Sequence, residues 1–128
     1  MLAEVKTLQR TEKNTVTLVI DSDTGTRYIR KELCGPHPIY AQLQALSHPY
    51  LPKIFHVEET RTGVVLIEEF IDGANLAEIT LPEKQVMVLM EELCEALVFL
   101  HDQGILHRDI KPSNLLLAAD GHIRLIDF

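Results

Sequence analysis

Between His107 and Asn114 the sequence reads His-Arg-Asp-Ile-Lys-Pro-Ser-Asn, and at its far end it reads Ile126-Asp127-Phe128. Asp109, Lys111, Asn114 and Asp127 thus bring an acid, a cation, an amide and a second acid into one short stretch. Carboxylate and amide oxygens are the hard donors that magnesium prefers. A lysine neutralises phosphate charge, and a further carboxylate can orient a hydroxyl nucleophile. The set suits holding magnesium and a triphosphate beside an incoming hydroxyl. Each residue alone would be an ordinary solvated loop residue; the combination, after a long amphipathic segment and before a hairpin, carries the reading.

The elements that must position this set can be read from pattern. Thr15 to Ile20 is rich in β-branched residues, Asp21-Ser22-Asp23-Thr24-Gly25 makes a turn, and Thr26 to Leu33 forms the return strand. Gly35-Pro36-His37-Pro38 breaks the chain. Ile39, Leu43 and Leu46 then follow at helical spacing until His48-Pro49 ends a helix of barely two turns. Lys53 to Val57 and Gly63 to Phe70 read as two more strands, the second nearly all apolar and therefore central. Thr80-Leu81-Pro82-Glu83 fits a capping box with proline in the first turn. Val86, Met90, Leu93, Leu97 and Leu100 keep one apolar face over about 22 residues, roughly 33 Å of helix, before Gly104 offers a left-handed cap. Leu115 to Leu117 and Ile123 to Ile126 flank Asp120-Gly121, a short-hairpin signal.

Composition narrows the class. At 128 residues with 46% hydrophobic and 24% charged side chains, the chain has the make-up of one globular domain. A net charge of −7 argues against nucleic acid as a partner. No apolar run approaches a membrane span, and Leu2-Ala3-Glu4-Val5 is too short and polar to open a signal peptide. Cys34 and Cys94 fit no C-x-x-C spacing and read as two unpaired, buried thiols in a reducing compartment, so a cytoplasmic location is expected. The six histidines have no ligand spacing, which argues against zinc.

Taken together, the His107 to Asn114 stretch and the closing Asp127-Phe128 resemble the catalytic loop and metal-binding motif of the eukaryotic-type protein kinases. The resemblance extends over essentially the whole chain, less closely in the first half. It implies an α+β, bilobal fold present as a partial domain: an antiparallel-sheet lobe over 1–70, a hinge over 71–75 and the start of a helical lobe over 76–128. It also implies ATP and Mg2+ as ligands. Asp109 becomes the catalytic base. Lys111 reaches the transferring phosphate, at a spacing usual for Ser/Thr rather than Tyr kinases. Asn114 and Asp127 become the magnesium ligands. By the same resemblance His107 packs beneath Phe128, His48 and His101 are structural, and Arg108 would meet a phosphorylated activation loop. Val16 covers the adenine, Ile29 stands where alanine is usual, and Lys31 is the phosphate-binding lysine of the third strand. Glu69 to Ile71 form the hinge whose backbone would bond adenine. Leu43, Ile54, His107 and Phe128 match one internal stack of the family; Val16, Ile29, Leu76 and Leu116 match the stack that adenine completes.

Two departures stand out. The Gly-rich loop has no glycine, its three positions being Gln9, Thr11 and Asn14. Of these only Asn14 readily tolerates positive φ. The helix after the third strand has no acid, and Ile39 stands where the lysine-pairing glutamate is usual. Glu68 falls on the gatekeeper position at the back of the pocket. A buried carboxylate needs a partner, so either Glu68 pairs with Lys31 in place of the missing helix glutamate, or a register shift turns Glu68 to solvent.

The function expected on this resemblance is an ATP-dependent Ser/Thr kinase acting on a protein substrate. The alternative is a pseudokinase, a binding or scaffold module, and a third option is a small-molecule phosphotransferase. The substrate and oligomeric state are not readable. As a piece, the chain is expected to lack useful activity alone and to expose apolar surface around Leu115 to Leu117 and the long helix.

Overall fold

A computed structural model describes residues 1–128. The chain divides into two compact units, Met1–Ser47 with Lys53–Phe70, and His48–Pro52 with Ile71–Phe128.

The first unit is a five-stranded antiparallel sheet with one short helix. Its strands are β1 (Leu2–Arg10), β2 (Asn14–Asp21), β3 (Arg27–Cys34), β4 (Ile54–Glu59) and β5 (Gly63–Glu69), in the order β1-β2-β3-β5-β4. The strand β5, expected to be central from its apolar run, has neighbours on both sides and alternates buried with half-buried residues. Val19 and Leu66 are fully buried. Gly63 opens β5 where the backbone of β3 passes closely: a Cβ there would lie 1.8 Å from the Leu33 carbonyl oxygen. The helix α1 (Ile39–Gln44) buries Tyr40 and Leu43 and packs on β4, where the Gln44 amide donates to the Phe55 carbonyl at 3.2 Å. The strand β1 was not read from pattern. Every one of its residues is exposed, so it has no buried face to impose alternation, and two register shifts interrupt its ladder with β2.

The second unit sets the helix α2 (Glu83–Asp102) beside a small antiparallel sheet of β6 (Gly73–Asn75), β7 (Leu115–Ala118) and β8 (Ile123–Leu125). Three expectations change here. Gly73–Asn75 pairs with β7 and so belongs to the sheet rather than to a linker. The capping box does not form. The helix starts at Glu83 behind an extended Pro82, two residues beyond Thr80, with no side-chain cap. The buried stripe of α2 is Leu89, Glu92, Leu93, Ala96 and Leu100, while Val86 and Met87 are exposed; the packed face is rotated from the one the apolar spacing suggested. The far end follows pattern. Gly104 takes φ +76°, its N–H donates to the His101 carbonyl at 3.0 Å, and that of Ile105 donates to Leu100 at 2.9 Å. This pair of bonds is a Schellman cap, closed by the buried Ile105 and Leu100.

The segment His48–Pro52 is fastened into this unit. The Leu125 N–H donates to the Tyr50 carbonyl at 3.0 Å, and the His48 ring lies 4.8 Å from that of Phe99. Both cysteines are exposed, contrary to the expected burial: Cys34 is the last residue of β3, and Cys94 lies off the packed stripe of α2. No helix is long and apolar enough to cross a membrane.

Candidate active site

The loop that carries the chemistry runs from the end of α2 to β7 and is held by side chains buried within it. His107, 6% exposed, accepts the Asp109 N–H on Nδ1 at 3.1 Å and donates from Nε2 to the Ile126 carbonyl at 2.7 Å. Both ring nitrogens are thereby occupied, which leaves the ring no proton to exchange with a substrate. Its face lies 4.7 Å from the Phe128 ring, the packing expected from the sequence. The Ile126 N–H in turn donates to the Asn114 carbonyl at 3.0 Å. Both backbone groups of the residue preceding Asp127 are therefore tied to the loop that carries Asp109 and Asn114.

Asn114 is buried at the end of a single 3-10 turn (Pro112–Asn114). Its side-chain amide donates to the Asp109 carbonyl at 2.8 Å and to Asp109 Oδ2 at 3.0 Å. With the amide nitrogen so engaged, Oδ1 is the remaining oxygen of the side chain. It is the hard donor that a magnesium ion accepts, and the residues present fit that ion. Lys111 Nζ lies 3.5 Å from Asp109 Oδ2, with both side chains about half exposed. Solvent screens this pair, and it adds little stability. Its value lies in keeping a cation beside the acid.

Arg108 and Asp127 are the only non-glycine residues at positive φ, at +72° and +60°. Such backbone costs of order 1–3 kcal/mol per residue and persists only where its surroundings impose it. Here the imposing contacts are those of His107 and Ile126. Two supporting residues escaped the sequence reading. Ile126 acts through its backbone, which no side-chain pattern reveals. Asn75, in β6, donates from Nδ2 to the Ser113 carbonyl at 2.8 Å and accepts the Ala77 N–H at 2.8 Å. A lone Asn just after Gly73 was the only available signal, and turn chemistry explains such a residue equally well.

In the first unit, the ladder registers Val16 with Lys31 and Ile29 with Glu68, so all four side chains share one face of the sheet. Lys31 Nζ lies 2.8 Å from Glu68 Oε1, and both side chains are buried. The pairing expected from the acid-free helix is formed, and Glu68 does not turn to solvent. Glu69 points to the other face, where Oε1 accepts the Lys53 N–H at 3.1 Å and its own N–H donates to the Lys53 carbonyl at 2.8 Å. Ile71 lies outside any strand, in the second unit. Leu116 lies in β7 of that unit, opposite Asn75 and Arg124.

The glycine-free loop closes on itself. The Thr11 N–H donates to the Asn14 carbonyl at 2.8 Å, and the Asn14 N–H donates to Thr11 Oγ1 at 3.0 Å. None of Gln9, Thr11 and Asn14 adopts positive φ. The tolerance of Asn14 for that conformation is not used.

Comparisons with known proteins bear on the family and the fold. The family described as Protein kinase domain matches residues 6–128. The chain is 33% identical over 115 residues to sperm motility kinase 2B of Mus musculus, covering 84% of this chain and 24% of the relative. It is 41% identical over 95 residues to the serine/threonine-protein kinase DCLK3 of Mus musculus, covering 67% of this chain and 12% of the relative. It is 28% identical over 122 residues to the serine/threonine-protein kinase PknB of Mycobacterium leprae, covering 83% of this chain and 20% of the relative. The chain thus spans a quarter or less of each of these proteins. Among solved structures, that of Rad53 residues 1–466 in complex with AMP-PNP superposes with a TM-score of 0.85 at 24% identity, over 99% of this chain and 38% of that one. The likeness shows a shared α+β kinase fold.

Proposed function

The chain belongs to the protein kinase domain family, and from that premise we propose that the protein transfers the γ-phosphoryl group of ATP to a serine or threonine hydroxyl of a protein substrate. The observation that carries this reading is the tie between Asp109 and Asn114, with Ile126 bonded to the same loop. It holds an acid and a hard oxygen donor in one frame, and it fastens the backbone beside a second acid.

In this reading Asp109 accepts the proton of the attacking hydroxyl. The new bond forms between that oxygen and the γ-phosphorus as the bond to the β,γ-bridging oxygen breaks, and ADP leaves. Lys111 offsets charge on the moving phosphoryl group. Asn114 and Asp127 would hold magnesium, which when bound neutralises phosphate charge. In the first unit Lys31 would hold the nucleotide's phosphates, and Val16 and Ile29 would offer apolar surface to its base. We assign Leu116 the same apolar role and the backbone of Glu69 and Ile71 the polar recognition of adenine. The relatives named as serine/threonine kinases and the spacing of Lys111 support the choice of hydroxyl.

The test is phosphoamino-acid analysis after the protein is incubated with γ-labelled ATP, magnesium and a mixed peptide library. Label on serine and threonine supports the reading, and label on tyrosine alone contradicts it. One observation favours a second reading. The self-bonded Thr11–Asn14 hairpin engages the amides of those two residues, as a pseudokinase with weak nucleotide affinity would allow. Magnesium-dependent ATP binding with no transfer to any peptide would select that alternative.

A further inference from the structure

We propose that Asn75 is a positioning residue for phosphate transfer, fixing the peptide between Ser113 and Asn114 and, through Asn114, the candidate base Asp109. The inference rests on the roles assigned above to Asp109 and Asn114.

Asn75 is the last residue of β6 and stands opposite Leu116 of β7. The two strands run close together: a Cβ on Gly73 would lie 2.3 Å from the Leu117 carbonyl oxygen. The fastening continues past the strand, where the Leu76 N–H donates to the Leu115 carbonyl at 3.0 Å. The planar amide of Asn75 is held at both ends. Its Oδ1 accepts the Ala77 N–H at 2.8 Å, an Asx turn, and that bond aims Nδ2 at the Ser113 carbonyl, 2.8 Å away. An amide already held on one side has little freedom left to lose in making the second bond.

The Ser113 carbonyl and the Asn114 N–H belong to one rigid peptide plane. Asn75 holds its oxygen, and the Lys111 carbonyl holds its N–H at 2.9 Å. The 3-10 turn in which this plane lies has only three residues, and a turn so short leaves its last carbonyls to outside partners. Asn75 supplies one for Ser113. The buried Asn114 side chain springs from the plane so fixed. Its amide donates to the Asp109 carbonyl at 2.8 Å and to Asp109 Oδ2 at 3.0 Å. Loosening Ser113 therefore loosens the carboxylate, and a small misplacement of a reacting group lowers rate. Every group in this chain of bonds lies in the second unit. Ser113 is exposed, so water competes for its carbonyl, and the effect has the size of one ordinary hydrogen bond.

The experiment compares the protein with Asn75→Asp, Asn75→Ala and Asn114→Ala. Asn75→Asp keeps the oxygen that accepts the Ala77 N–H and loses the donor to Ser113, whereas Asn75→Ala loses both. Hydrogen exchange of the Asn114 side-chain amide, read by 15N NMR without nucleotide or metal, is expected to quicken roughly threefold to tenfold in both Asn75 variants. Magnesium-dependent transfer to a serine-containing peptide is expected to fall in kcat by about the same factor, with KM for ATP within about twofold. In the unsubstituted protein a scalar coupling across the hydrogen bond is expected between the Asn75 side-chain nitrogen and the Ser113 carbonyl carbon. That coupling decides the matter if the variants fail to fold, and its absence would overturn the inference. So would wild-type exchange in Asn75→Asp, which would make Asn75 a turn former only. A change confined to KM for ATP would overturn it too, since Asn75 would then act on the nucleotide. Transfer lost in Asn114→Ala but kept in both Asn75 variants defeats the positioning role alone. Transfer untouched in Asn114→Ala, or absent in the unsubstituted protein, defeats the roles assigned to Asp109 and Asn114, and the inference with them.

Discussion

The side-chain amide of Asn114 donates to Asp109 twice, at 2.8 Å to the backbone carbonyl and at 3.0 Å to Oδ2. The candidate base is thus oriented by the same side chain whose remaining oxygen suits magnesium. One substitution should therefore disturb both the metal response and the orientation of the base. Asn114→Ala is expected to lower phosphate transfer roughly 10–100-fold and to raise the magnesium concentration needed for half-maximal rate. Asn114→Asp keeps an oxygen donor but loses the amide hydrogens. It should retain the magnesium response at a reduced rate. A magnesium titration of the two variants side by side checks this, and identical curves would count against the shared role.

His107 is a structural keystone of the loop. Replacing it with alanine removes two hydrogen bonds, leaves the Ile126 carbonyl and the Asp109 N–H without their partner, and opens space beside Phe128. At about 1 kcal/mol for each bond plus the lost packing, His107→Ala is expected to cost roughly 2–4 kcal/mol. A shift of the urea midpoint at unchanged slope is the readout. A variant as stable as wild type would contradict the account.

Glu92 and His122 join α2 to the β7–β8 turn, with Nδ1 and Oε2 2.5 Å apart, and Glu92 Oε1 also accepts the Ile123 N–H at 3.1 Å. Burial, the largest influence on Glu92, pushes its carboxyl up, but bonds from His122, Ile123 and Tyr50 outweigh it and hold the group below 4.5. The hydrogen bond to Glu92, and then its charge, raise His122 above 6.5. The stabilising contribution of His122 is thus complete below pH 6.5 and is lost as pH rises through its raised value. That of Glu92 is complete above pH 4.5 and is lost as pH falls through its lowered value. His48, lowered chiefly by burial, slopes the other way, so a difference curve isolates the pair. The stability gap between wild type and His122→Gln should be widest between pH 4.5 and 6.5 and close toward alkaline pH. Urea denaturation across pH reads it, and a gap that grows above neutrality would contradict the pairing.

Gly104 closes α2 at φ +76°, with no atom within 4 Å of where a Cβ would stand. Gly104→Ala therefore meets no clash and suffers only the left-handed backbone, about 1–2 kcal/mol. Thermal unfolding should report a lowered midpoint. An unchanged midpoint would mean that the cap contributes nothing.

Much of this was legible because local chemistry and tertiary demand coincide. Gly104 follows a long apolar stripe, Asp120-Gly121 separates two apolar runs, and the absence of any acid on α1 left Lys31 to find Glu68. Where the two part, pattern failed. β1 is paired but wholly exposed, so burial wrote no alternation into it. The packed face of α2 includes Glu92, whose charge hid it from a hydrophobic reading although hydrogen bonds from His122 and Ile123 make its burial tolerable. Thr80 has the right type and spacing for a cap, yet the extended backbone of Pro82 delays the helix to Glu83. The backbone ties of Ile126 have no side-chain signature at all.

The central claim is that Asp109 takes the proton of a hydroxyl as phosphate moves to it from ATP. The direct measurement is phosphate incorporation from γ-labelled ATP into a serine-containing peptide, with magnesium, by the protein and by Asp109→Asn. Loss of a general base typically lowers rate by about 10²–10⁴-fold. A loss of that size is expected in Asp109→Asn, with ATP affinity largely retained. Transfer at the same rate in both proteins would contradict the account.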